Sequence, residues 1–308
     1  EICACLVGSE MCIRDSNQPG VLNVVRKLCQ HIREQGEFLL IGEVGSDLLP
    51  VMAPYQGPKL LDVVFNFNLG SQKRFDIAAI FAEMKAMEAT LSGLPTLFFS
   101  SHDMSRMISR FGESHRDVSR AVAVFALQMT ASGLPFIYQG EEIGMTDFIP
   151  QSVQQMRDIQ GITQYQAAIS RGMDEKQALT YALPFCRDAS RLPVPWTPAD
   201  AGEGQINVQT ESKHSPSILN TYKKLIKLRN SHLSLQRGRY EYLTLFKQCL
   251  IFRRFLAGEC LEVMINFGAP VVNVGCGDGN PVLFGTDAPL LEKNAILIKK
   301  VNHENDPK

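Results

Sequence analysis

The chain has 308 residues, 31 Lys+Arg against 32 Asp+Glu, a formal net charge of −1 and 45% hydrophobic residues. That length can bury the core of one large domain or two, and the many apolar runs exclude a disordered chain. The balanced charge argues against a nucleic acid or an anionic membrane as the main partner, and no apolar stretch approaches the roughly 18 residues of a membrane span.

Residues 1–16 show no clear period and no cap before Asn17. Their core, Gly8-Ser9-Glu10-Met11-Cys12-Ile13-Arg14-Asp15-Ser16, resembles translated sequencing-adapter read-through. The segment is therefore expected to be non-native, with the real protein continuing upstream. From Pro19 the pattern becomes regular. Val21, Val24, Val25, Leu28 and Ile32 recur at helical spacing, and Gly36 ends that helix. The run Phe38-Leu39-Leu40-Ile41, ending at Gly42-Glu43, predicts a strand buried on both faces, as in a parallel sheet. A short helix over 47–53 follows, then a strand over 61–66 and a helix over 75–91. Thr96-Leu97-Phe98-Phe99 reads as a strand ending in Ser100-Ser101-His102-Asp103, and a helix over 116–131 follows. After the breaker Gly133-Leu134-Pro135, the run Phe136-Ile137-Tyr138 reads as a further strand, ending in Gln139-Gly140-Glu141-Glu142.

Four strand–helix units in succession predict parallel strands joined by right-handed crossovers, with polar residues at each C-terminal strand end. That edge carries the active site in α/β barrels and open sheets alike, although loop residues are polar for other reasons too. Residues 151–214 read as short helices and irregular loop, and 217–230 as a last amphipathic helix. Beyond Gly238, short apolar runs separated by Gly, Pro and Asn predict a small antiparallel β domain. The expected division is 17–234 and 235–308.

The eight cysteines form no CxxC pair, so free thiols in a reducing, cytoplasmic setting are expected rather than a zinc site or a disulfide scaffold. No phosphate-binding glycine loop and no GxSxG elbow occurs. Glu43, behind four apolar residues and a glycine, is a candidate general acid if it faces a cleft with apolar walls that raise its pKa; otherwise it is a surface glutamate. His102-Asp103 on another strand end could hydrogen-bond a polyol and hold negative charge near a developing cation, or Asp103 could cap the helix that follows. With no third ligand at helical spacing, the pair makes a weak metal site. The stretch Arg187-Asp188-Ala189-Ser190-Arg191-Leu192-Pro193-Val194-Pro195-Trp196 holds the sole tryptophan, which suits either a carbohydrate pocket or a packed loop.

Taken together, these segments resemble the α-amylase superfamily, glycoside hydrolase family 13, and its α-glucosidase and oligo-1,6-glucosidase branch in particular. Leu40-Ile41-Gly42-Glu43-Val44 is similar to the strand-five motif with the general acid. Phe98-Phe99-Ser100-Ser101-His102-Asp103-Met104-Ser105-Arg106 is similar to the strand-seven motif, and the stretch 133–145 to the strand-eight segment. The stretch 187–196 is similar to the Arg-Asp-x-x-Arg-Thr-Pro-Met-Gln-Trp signature.

The resemblance implies the C-terminal half of a (β/α)8 barrel followed by a small antiparallel β domain, and retaining hydrolysis of α-glucosidic bonds in oligosaccharides or disaccharides. Glu43 would be the acid/base and Asp103 the stabiliser of the distorted sugar, while His102 and Arg187 would bind its hydroxyls. The same residues would serve a glucosyltransferase or isomerase that processes sucrose or trehalose; a non-catalytic carbohydrate-binding relative is the third alternative. No cofactor is implied, and calcium, found in many relatives, would belong to the absent half. The departures are Ser101 for the usual Asn and Leu192-Pro193-Val194-Pro195 for Thr-Pro-Met-Gln. The nucleophile motif Gly-Phe-Arg-x-Asp is missing, and Ile13-Arg14-Asp15 only echoes it. A single carboxyl cannot form the glycosyl-enzyme intermediate, so the chain as written is expected to be N-terminally truncated and inactive, with open sheet edges that invite aggregation.

Overall fold

The structure, a computed structural model, describes residues 18–114, 116–201 and 206–302; the expectation for residues 1–16 lies outside the described residues. Helix α1 (Val21–Arg33) leads to strand β1 (Ile41–Glu43), which pairs in parallel with β2 (Val63–Phe65), Ile41 opposite Val63. Helix α2 (Ile77–Thr90) starts where the Asp76 carboxylate accepts from the amides of Ala78 and Ala79. That satisfies two of the amides a helix start leaves open. Strand β3 (Thr96–Leu97) then pairs in parallel with β4 (Leu134–Pro135). Between them lie α3 (Met107–Phe111) and α4 (Val118–Thr130), the latter capped by Asp117. The two strand pairs are joined by a side chain: the Asn66 amide donates to Thr96 Oγ1 at 2.8 Å.

Helices α5 (Ile159–Ser170) and α6 (Glu175–Ala182) and several single turns fill the next region, and α7 (Ile218–Ser231) closes it. The strands β5 (Arg239–Phe246), β6 (Cys249–Leu256), β7 (Glu259–Asn266), β9 (Val282–Gly285) and β11 (Ile296–Val301) form an antiparallel sheet in the order β5-β6-β7-β11-β9. A two-stranded ribbon, β8 (Val271–Val272) with β10 (Leu290–Leu291), packs on one face through Val271, Leu291, Cys249 and Leu297.

One core runs through both parts. It joins Ile80, Leu97, Phe125 and Tyr222 to Leu250, Phe252, Val263 and Ile298. The Phe125 and Tyr222 rings stack at 3.4 Å, and Phe125→Ala would cost about 3–5 kcal/mol. Buried arginines seal the seam. Arg229 donates to the Met129 and Gly133 carbonyls and Arg254 to those of Thr130 and Gly238, supplying partners that the end of α4 lacks. The described cysteines are free thiols, and no described helix is long and apolar enough to cross a membrane.

Two expectations fail here. The run 38–41 is not buried on both faces: Phe38 and Leu39 are 52% and 60% exposed, and only Leu40 and Val44 are buried nearby. The reason is that β1 has β2 as its one strand neighbour among the described residues, so nothing covers its other side. The strand expected at Phe136-Ile137-Tyr138 lies instead at Leu134–Pro135. There the Gln128 side-chain amide takes the Phe136 carbonyl at 2.7 Å and the Leu97 carbonyl at 3.0 Å, ending the ladder.

Candidate active site

Within each pair the strands run parallel, so the C-terminal ends of β1 and β2 lie together, as do those of β3 and β4, and the Asn66–Thr96 bond ties the two pairs. Glu43 is the last residue of β1. Beyond the C-terminal end of β3, the buried stretch Phe98-Phe99-Ser100 leads to His102 and Asp103, where Asp103 N–H bonds to Ser101 Oγ in a local turn. On these same segments Phe65, Phe98 and Phe136 pack ring to ring, with Phe65 4.7 Å from Phe136 and 5.3 Å from Phe98.

The Asp103 carboxylate is held from three sides. Arg191 donates to Oδ1 at 2.6 Å and Arg187 at 3.2 Å, while His102 Nε2 lies 3.3 Å from Oδ2. Arg191 Nε also bonds the His102 carbonyl at 2.8 Å, so one guanidinium fixes both residues. Arg187 is held in turn by Asp158: its Nε and one terminal nitrogen each bond a carboxylate oxygen at 3.0 Å, in fork geometry. Those hydrogen bonds from Arg187 pull the buried Asp158 carboxyl down to about 2. Asp188, also buried, accepts from the amides of Arg157 and Asp158, tying the two segments into one unit.

A second layer fixes the loop from below. Arg106, 1% exposed, donates to the Gln139 and Ser190 carbonyls at 2.8 Å each and lies over the Tyr138 ring. Its own amide bonds Asp147 at 2.7 Å, and the Ser105 hydroxyl donates to the same carboxylate. Gly140, at φ 86, allows the left-handed turn after β4 that buries Glu141. Burial pushes the Glu141 carboxyl up to about 8, with Ser100, Glu142 and Arg106 around it.

The structure thus brings Asp103, His102 and Arg187 into one contact set. Glu43 ends a strand of the other pair, and no hydrogen bond or ion pair joins it to them among the described residues. The expected apolar-walled cleft around Glu43 is not found, because its side chain is exposed on the uncovered strand β1. Nor does Asp103 cap a helix: α3 begins after Arg106 with no side-chain cap, and the carboxylate goes to the arginines instead. Trp196 is 65% exposed, which removes the packed-loop reading of its indole.

Sequence reasoning missed Arg191 and Asp158 as parts of this set. Arg191 follows Arg187 by four residues around a helical turn, a spacing that could have flagged it. Asp158 lies 29 residues from Arg187, and no local pattern links them. Among the described residues, no group of three His, Cys, Asp or Glu could hold a metal ion.

Residues 9–238 match the sequence family described as the alpha amylase catalytic domain. An oligo-1,6-glucosidase of Halalkalibacterium halodurans is 28% identical over 293 residues, covering 84% of this chain and 52% of that protein. A trehalose-6-phosphate hydrolase of Escherichia coli is 32% identical over 191 residues, covering 57% of this chain and 35% of that protein. Among solved structures, Bacillus licheniformis trehalose-6-phosphate hydrolase superposes with a TM-score of 0.78 at 23% identity, over 93% of this chain and 60% of the other. The trehalulose synthase MutB gives 0.79 at 23% identity, over 92% of this chain and 60% of the other. The fold is therefore the later part of a (β/α)8 barrel with its antiparallel β domain. The chain spans about half the length of the curated relatives it matches.

Proposed function

The chain belongs to the α-amylase family of glycoside hydrolases, and from that premise we propose that it carries part of the catalytic machinery of a retaining α-glucosidase acting on α-linked oligosaccharides or disaccharides. The observation that supports this most is the Asp103 carboxylate, held by Arg187, Arg191 and His102 beyond the C-terminal end of one strand, as Glu43 stands at that of another. In this reading Glu43 gives its proton to the glycosidic oxygen as the bond to the anomeric carbon breaks, and the bonding electrons leave with the departing sugar. Asp103 faces the positive charge that develops on the ring. His102 and Arg187 hold ring hydroxyls, Arg187 exchanging its bond to Asp103 for one to the sugar while Asp158 keeps it in place.

A retaining mechanism needs a second carboxylate about 5–5.5 Å from the acid. The 308 residues contain no Gly-Phe-Arg-x-Asp motif to supply it, so residues 1–308 alone are proposed not to turn over substrate. The test is hydrolysis of 4-nitrophenyl α-glucoside by this polypeptide and by the complete protein encoded with its upstream region. We expect activity only in the second, with retention at the anomeric carbon by NMR and glucose as product. Normal rates from residues 1–308, or inversion in the complete protein, would overturn the assignment. A transferred glucosyl group in place of glucose would redirect it to transfer or isomerisation.

A further inference from the structure

The outer face of the antiparallel sheet carries a groove of about 600 Å³ that the catalytic reading does not use. Its floor is β5–β7 and its far wall the β8–β10 ribbon, which covers only part of that face. Tyr242 and Phe246 stand in it from one strand, 51% and 55% exposed. Four residues apart, they project to the same side at roughly 13 Å along the groove. Leu243 and Leu245, between them, pack on the core, so the outward pair contributes nothing to that packing. Val272 and Val274 form an exposed apolar wall opposite. Arg253 and Glu262 face each other across β6 and β7, with Nε to Oε2 at 2.9 Å, and provide a guanidinium and a carboxylate in the floor.

From this arrangement we propose that the groove binds a neutral α-linked oligosaccharide, several sugar units long, at a site separate from the catalytic edge. The volume lies within the range of ligand sites, and the lining has their usual make-up, aromatic and apolar surface with a few fixed polar groups. The charge does not favour anions: Arg253 is matched by Glu262, and Glu241 is paired with Arg239 on the same strand. A phosphorylated or acidic ligand would find the guanidinium groups there already paired with carboxylates. A sugar presents apolar C–H faces to rings and hydroxyls to charged groups. The ring spacing asks for a chain rather than a monosaccharide. The choice of α-glucan rests on the glycosidase reading; the groove itself does not.

The test is calorimetric titration of the 308-residue chain with maltoheptaose and with glucose, alongside sedimentation to follow mass. We expect saturable binding of maltoheptaose and none of glucose. Tyr242→Ala with Phe246→Ala is expected to weaken binding at least tenfold, Phe246→Trp to preserve it, and Asp103→Asn to leave it unchanged. Both rings are surface groups, so circular dichroism is expected to show folded variants. Absent binding, equal binding by the double variant, or loss of binding with Asp103→Asn would overturn the proposal. A chain that dimerises through these two rings instead would assign the groove to a second copy and overturn it too. Ring-dependent maltoheptaose binding beside a catalytically silent complete protein would sink the glycosidase reading and leave the groove standing.

Discussion

Asp103 and Glu43 both stand at C-terminal strand ends, yet their surroundings differ. Asp103 is gripped by two arginines and a histidine, and Arg187 is locked by Asp158 beneath. Glu43 ends a three-residue strand with a single strand neighbour among the described residues, a few residues after exposed Phe38 and Leu39. A stabilising carboxylate needs a fixed position to meet a developing charge without reorganisation. A proton donor needs an environment that keeps its proton at working pH. The described residues supply the first condition and leave the second to whatever covers β1.

The sharpest way to break this contrast is to neutralise each carboxylate in the complete protein. Glu43→Gln and Asp103→Asn should each lower kcat about 10²–10⁴-fold, measured on 4-nitrophenyl α-glucoside. Their stabilities should diverge. Asp103→Asn weakens the hold of Arg187 and Arg191 and should cost about 1 kcal/mol, while Glu43→Gln should stay within about 0.5 kcal/mol in denaturant unfolding. Equal stability losses would show that Glu43 is as firmly embedded as Asp103.

Glu141 probes the layer below Asp103. Neither of its carboxylate oxygens has a hydrogen-bond partner, and the Tyr222 hydroxyl, which feels the Glu141 charge, is also buried and unpartnered. Burial raises the folded-state pKa from 4.5 to about 8, so the folded state binds the extra proton between those values. Stability contributed by the neutral carboxyl is full below about pH 4.5 and is lost as pH rises through about 8. Glu141→Gln should therefore raise the unfolding free energy little at pH 5 and progressively more toward pH 9, by an amount on the order of a few kcal/mol, read from denaturant unfolding at each pH. A pH-independent difference would mean that Glu141 is not buried as a neutral acid.

Asp158 shifts in the opposite direction. Arg187 lowers its folded-state pKa from 3.8 to about 2, so the stability it confers is present above about pH 4 and lost as pH falls toward 2. Asp158→Asn should cost about 2 kcal/mol at neutral pH, less than a fully buried pair because Arg187 is partly exposed, and the cost should shrink in acid. The same substitution should raise KM in the complete protein, because it frees Arg187 to swing.

The sequence revealed the strand–helix alternation, the β domain and the Asp103–His102 strand end because each rests on local pattern. Period, caps and motif spacing are properties of adjacent residues, as the Asp76 and Asp117 caps show. What stayed hidden depends on distant partners. Asp158 and Arg191 meet Arg187 and Asp103 only after the loops fold together. In the sequence Glu141 is one of several polar residues after a strand, and the turn at Gly140 is what buries it. The run 38–41 misled for the same reason: its apolar composition signals burial, but burial depends on a neighbour that local sequence does not contain.

That run gives the smallest thermodynamic effect and a direct reading of the open side of β1. Leu39 is 60% exposed, so Leu39→Lys removes apolar surface from water-facing backbone rather than from the core. Its effect on unfolding free energy should lie within about 0.5 kcal/mol. Association of the 308-residue chain should nevertheless fall, since a charge just before β1 opposes edge-to-edge pairing with that strand. Light scattering on concentrated samples would measure this. In the complete protein the same lysine should destabilise by more than 1 kcal/mol if an added strand covers β1, because the charge would then be buried without a partner. An equal, near-zero cost in both chains would place Leu39 in solvent throughout and confine the covering of Glu43 to the loops above the strand.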